Sequence, residues 1–102
     1  MAEQFRAGYV LIARWTAAPG NDKRVEAALL ALAAATREEP GCRAYRPTRS
    51  VDDPRVFLLY EEYDDEAALE AHSASDHFRR HALEEGIPLL ESRERAFYRT
   101  LD

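Results

Sequence analysis

Three side chains past the middle of the chain carry groups that move protons: Glu61, Tyr63 and His72. A carboxylate beside an imidazole orients the ring and favours its protonated form, and a ring so held can act as a general base. Spacing decides whether the three meet. Residues 56–78 read VFLLYEEYDDEAALEAHSASDHF, a strand running straight into a helix. Phe57, Leu59, Glu61 and Tyr63 alternate with Val56, Leu58, Tyr60 and Glu62, so Glu61 and Tyr63 share a face. Asp64 or Asp65 can cap the following helix. On that helix Ala68, Leu69 and His72 fall on one side, with His72 near its middle. A histidine on a buried helix face must find a hydrogen-bond partner, and Glu61 is the expected one. A satisfied core histidine and a strand-end carboxylate in water would fit the same spacing. Tyr63, Tyr45 and Trp15 can line a pocket for a flat aromatic ligand, or fill plain core.

Other chemistries are weaker. His77 and His81 are four apart, the spacing of a helical metal pair, with Glu84 or Glu85 the only third ligand nearby. Asp76, Arg79, Arg80 and Glu84 around them indicate a solvated face, and no metal is expected. Cys42 follows a Pro-Gly turn beside Arg43, which could lower the thiol's pKa. A small hydrophobe at a strand start is the expected role. The glycines, at 8, 20, 41 and 86, form no dinucleotide fingerprint or phosphate loop, so no nucleotide cofactor held by such a motif is expected. No Ser-His-Asp set is readable from spacing, because a triad is assembled across the fold.

The elements that must position these groups follow from hydrophobic period and turn chemistry. Residues 1–7 read as a loose leader. Residues 8–16, GYVLIARWT, alternate as a strand with apolar groups on both faces. Ala17-Ala18-Pro19-Gly20-Asn21 is a turn, with Asn21 or Asp22 as the next cap. Val25, Ala28, Leu29, Leu32 and Thr36 make one helical stripe that stops at Glu39-Pro40-Gly41. A second strand covers 42–50, where Pro47 suggests an edge or a bulge. Val51-Asp52-Asp53-Pro54-Arg55 turns the chain into the third strand. After Ser73-Ala74-Ser75 a short helix carries Phe78 and Ala82 and ends at Gly86, and a last strand covers 91–101. The order is β-α-β-β-α-β, a ferredoxin-like α+β arrangement with a four-stranded antiparallel sheet and a broken second helical region. Two helices cover one face of such a sheet, yet strands one, three and four are apolar on both. A homodimer packed sheet against sheet is the expected remedy.

Bulk properties bound the rest. The 102 residues suit one domain spanning 1–102. A formal charge of −5, with no run of cations, argues against a nucleic-acid surface. The single cysteine cannot make an intrachain disulfide, and no apolar run reaches membrane-spanning length. With no secretory leader in MAEQFRAG, a soluble cytoplasmic protein is expected.

The chain resembles the antibiotic-biosynthesis monooxygenase family from Tyr9 to about Leu101. The marks are Glu-Pro-Gly-Cys at 39–42 with Tyr45 after it, Phe-x-x-Tyr-Glu at 57–61, and Ala-His and His-Phe at 71–72 and 77–78. The resemblance implies a ferredoxin-like subunit pairing as a dimeric α+β barrel, with a pocket between sheet and helices. It implies oxidation of phenols, hydroquinones or anthrones by molecular oxygen, using neither metal nor flavin. By the same resemblance His72 is the base, Glu61 its orienter or a second polar contact, and Tyr63 stands where the family often has tryptophan. Tyr45, Trp15 and Phe78 would complete the substrate contacts. The first strand lacks the asparagine of relatives that degrade haem. Small isomerases and signal-degrading proteins share the scaffold, so proton transfer without oxygen, or ligand binding without turnover, are the alternatives.

Overall fold

The computed structural model describes residues 5–102; the first four residues of the expected leader lie outside the described ones. Strand β1 (Tyr9–Ala17) leads to helix α1 (Asp22–Thr36), then to β2 (Cys42–Arg49) and β3 (Val56–Tyr63). Helix α2 (Glu66–Ser73), a π-helical segment α3 (Phe78–Gly86), a 3₁₀ turn (Ile87–Leu89) and β4 (Leu90–Arg99) complete the chain. The sheet order is β2-β3-β1-β4, every pair antiparallel, with the helices on one face: a ferredoxin-like α+β fold.

The register sets which side chains share a row. Glu61 lies opposite Leu11 on one side and Tyr45 on the other, and Leu11 lies opposite Phe97. Tyr45, Glu61, Leu11 and Phe97 therefore cross the sheet in one line on its helical face. In the next rows Ala13 lies opposite Arg95, and Trp15 opposite Arg93. The core closes over these rows: Val25, Leu29 and Leu32 of α1 pack with Leu11, Trp15, Phe57, Leu59 and Ala82. Each fully buried aliphatic side chain contributes roughly 1.5–3 kcal/mol through water exclusion. β2 is an edge strand, which explains how it accommodates Pro47 without an amide to donate.

Two departures from the expected elements matter. Helix α2 ends at Ser73, so His72 sits in its last turn rather than its middle. The chain stops and restarts there because the Ser75 hydroxyl donates to the His72 carbonyl and accepts from the Phe78 amide. The helix that follows is wound in π form, a register that hydrophobic period does not distinguish from α over nine residues. Asp65 is the cap of α2, its carboxylate accepting from the Ala68 amide. Asn21, by contrast, precedes α1 without a side-chain cap bond.

The opposite sheet face carries Leu58, Tyr60 and Tyr98, each between 36% and 54% exposed. β4 is exposed along most of its length, and Phe97 is exposed even on the helical face. Among the described residues no helix is long and apolar enough to cross a membrane.

Candidate active site

The site begins with the turn after α1. Gly41 lies so close to α2 that an added Cβ would stand 2.6 Å from the Cβ of Ala68. No side chain fits that gap, so glycine allows the 39–42 turn to lie against the helix. This approach carries Glu39 to His72, whose Nδ1 is 2.8 Å from Glu39 Oε2. His77, placed by the restart of the chain after Ser75, puts its Nε2 2.5 Å from the same oxygen. Glu39 was not singled out by spacing: it comes from a turn 33 residues before His72, and only its place beside Pro-Gly marked it.

His72 is 2% exposed and ringed by aromatics. Phe78 meets it edge-on at 5.1 Å between centroids, Tyr63 lies at 5.4 Å and Tyr45 at 5.9 Å. The hydrogen-bond partner that orients the ring is Glu39 rather than Glu61. Glu61 Oε1 stands 3.8 Å from His72 Nε2, too far for a hydrogen bond, and accepts instead from the Tyr63 hydroxyl at 2.6 Å. Glu61 is thus the second polar contact, fixed by its neighbour two residues along the same strand face.

Burial governs the proton affinities. The His72 pKa is lowered, chiefly by desolvation, with the Glu39 hydrogen bond and charge opposing. The expectation that a carboxylate would favour the imidazolium is therefore corrected: enclosure outweighs the partner. Glu61 moves the other way, pushed up to about 7 by desolvation against the lowering hydrogen bond from Tyr63. Nearby Glu39 raises it further and Arg95 lowers it. The phenols of Tyr63 and Tyr45 are held well above their usual range, again mainly by burial, and stay protonated. A carboxylate can only accept, so Nδ1 of a neutral His72 carries the ring proton and Nε2 is left bare. That bare nitrogen is on the Glu61 side of the ring.

Both groups border a small, partly open cavity of about 30 Å³, which Trp15, Tyr45, Phe78, Arg93 and Arg95 also line. This is room for about one water molecule. Tyr63 does not line it; its ring stands behind His72 and its hydroxyl holds Glu61. Arg93 and Arg95 were missed in the sequence because β4 alternation gave no reason to single them out. The register explains them, placing both on the helical face beside Trp15 and Ala13. A wider groove of about 170 Å³, between α1 and β2, contains neither His72 nor Glu61.

The remaining sequence candidates separate from the site. His81 Nδ1 pairs with Glu85 at 2.8 Å on the helix surface and does not join His77. The Cys42 thiol is raised to about 11 by burial and by Glu39, so Arg43 does not activate it. The Arg43 guanidinium turns to Asp64 at 2.8 Å.

Residues 8–82 match the family model described as antibiotic biosynthesis monooxygenase. Among solved structures, PA3566 from Pseudomonas aeruginosa superposes with a TM-score of 0.90 at 33% identity, covering 98% of this chain and 100% of that one. The structure of Rv0793 from Mycobacterium tuberculosis gives 0.84 at 30% identity, covering 93% and 96%. In sequence, Rv0793 is 33% identical over 76 residues, 74% of each chain. SO0527 from Shewanella oneidensis gives a TM-score of 0.82 at 30% identity, covering 94% and 93%. With that match over most of its length and with this fold, the chain belongs to the antibiotic biosynthesis monooxygenase family.

Proposed function

We propose that this protein is a monooxygenase that needs neither metal nor flavin and oxidises a small phenol, hydroquinone or anthrone with molecular oxygen. The observation that carries the reading is buried His72 at an aromatic-walled cavity, its Nδ1 held by Glu39 and its Nε2 turned toward Glu61. A phenolic O–H presented there gives its proton to Nε2, and the anion left behind is electron-rich enough to reduce oxygen by one electron. Recombination of the two radicals forms a carbon–oxygen bond. Loss of water then leaves a carbonyl, so one oxygen atom enters the product and the other departs in the water. Arg93 and Arg95 at the cavity supply positive charge where the anion develops. A ring needs more than 30 Å³, so binding displaces Phe78 and the exposed arginine side chains.

The apolar outer face with Leu58, Tyr60 and Tyr98 supports a homodimer joined sheet to sheet. One observation favours a second reading, an isomerase. Glu61, with a pKa near 7, and neutral His72 form an acid–base pair able to move a proton between two substrate atoms. The test is oxygen uptake by the metal-stripped protein over a panel of phenols, hydroquinones and anthrones, with ¹⁸O₂ followed into product. Uptake with one labelled atom per product is the expected result. Substrate isomerisation without uptake selects the second reading, and binding without turnover removes both.

A further inference from the structure

We propose that Glu39 Oε2, His72 Nδ1 and His77 Nε2 form a binding site for a zinc-like divalent cation on the side of His72 away from Glu61. The three donor atoms lie within 4.8 Å of one another. They come from three separate stretches: the turn after α1, the last turn of α2 and the residue just before the π-helical segment. Two imidazole nitrogens and one carboxylate oxygen suit zinc and its first-row neighbours, and do not suit magnesium or calcium, which prefer all-oxygen shells.

The charge arrangement calls for a cation. Among the described residues Glu39 has no Lys or Arg in ion-pair contact; its only such partners are the two histidines. Its side chain is 15% exposed, and the oxygen faces two imidazole nitrogens. A zinc ion about 2.0–2.1 Å from each donor holds them roughly 3.3 Å apart. The present separations from Oε2 are 2.8 and 2.5 Å. Each must open by less than about 1 Å, and the motion falls to Glu39 and to His77, which is 24% exposed, rather than to buried His72. That exposed edge also admits water to the fourth position.

The consequence for the neighbouring site is a tautomer change. A cation on Nδ1 takes the place of the proton there, and the neutral ring then carries its one proton on Nε2. The nitrogen that faces Glu61 changes from acceptor to donor, so the loaded protein cannot abstract a proton with His72. Metal binding and base function exclude one another.

The test uses tag-free protein without substrate, so its outcome is independent of the proposed reaction. Cobalt(II) is titrated at pH 7.5, following its visible absorption, and then displaced with zinc. One saturable equivalent per chain is expected. His77→Ala and Glu39→Gln should each weaken binding by at least the ~10–100-fold that even outer-shell changes cost, while His81→Ala leaves it unchanged. Histidine ¹⁵N spectra of the wild-type protein guard against misfolded variants: zinc should shift Nδ1 of His72 and Nε2 of His77, and move the His72 proton to Nε2. Absence of saturable binding, binding that survives His77→Ala, or shifts confined to His81 would overturn the site.

Discussion

Replacing Glu61 by Gln removes one charge from the interior and keeps its shape, so it isolates what enclosure costs. In the folded chain the Glu61 pKa rises from 4.5 to about 7. Below pH 4.5 the group is neutral folded and unfolded, and its full contribution to stability is present. Between 4.5 and about 7 the folded state holds the proton more tightly than the unfolded one, so stability falls as pH rises. At about 1.4 kcal/mol per pH unit, that span corresponds to roughly 3 kcal/mol lost by pH 8. Gln escapes this loss and can still accept the Tyr63 hydroxyl. His72 acts in the opposite sense, since its lowered pKa makes stability fall as pH drops, but it is common to both proteins. The difference between variant and wild type therefore reports Glu61. Urea unfolding at fixed protein concentration, every half unit from pH 4 to 8.5, should show the two equal at pH 4. The variant should be ahead by about 2–3 kcal/mol at pH 8, with the rise complete shortly above pH 7. A difference that does not change with pH, or a wild type more stable at pH 8, would refute the claim that desolvation dominates at Glu61.

Three further outcomes follow from other parts of the fold. Thr36 is fully buried and its hydroxyl has no hydrogen-bond partner among the described residues; Thr36→Val should stabilise by about 1 kcal/mol in thermal or urea unfolding, since it removes an unpaired polar atom at constant shape. Gly41→Ala places a Cβ 2.6 Å from that of Ala68, so it should cost about 1–3 kcal/mol and push Glu39 off His72, read as a changed His72 ¹⁵N shift. Leu58→Glu puts a charge on the exposed apolar sheet face; if the proposed sheet-to-sheet dimer forms, sedimentation should report a dimer for the unchanged chain and monomers for the variant.

The fold was legible because its signals are local. The stripe Val25, Ala28, Leu29, Leu32 and Thr36 is buried at every position, and strand alternation placed Glu61 and Tyr63 on the helical face. The site was only partly legible. His72 stood out because an imidazole in an otherwise apolar stripe needs a partner, but the identity of that partner depends on how a distant turn packs. Glu39 arrives through the close contact of Gly41 with Ala68, which no periodicity encodes. Arg93 and Arg95 depend on strand register, and His77 on where α2 stops. The sign of the His72 shift was misread because a charged neighbour is visible in sequence and the depth of burial is not.

The proposed base chemistry depends on which nitrogen of His72 carries the proton. A long-range ¹H–¹⁵N spectrum of the metal-free protein at pH 7 reads this directly, without a substrate. A neutral ring protonated at Nδ1 and bare at Nε2 is the predicted result, since Glu39 accepts from Nδ1. An imidazolium at that pH, or a proton on Nε2, would contradict the assignment of His72 as the base.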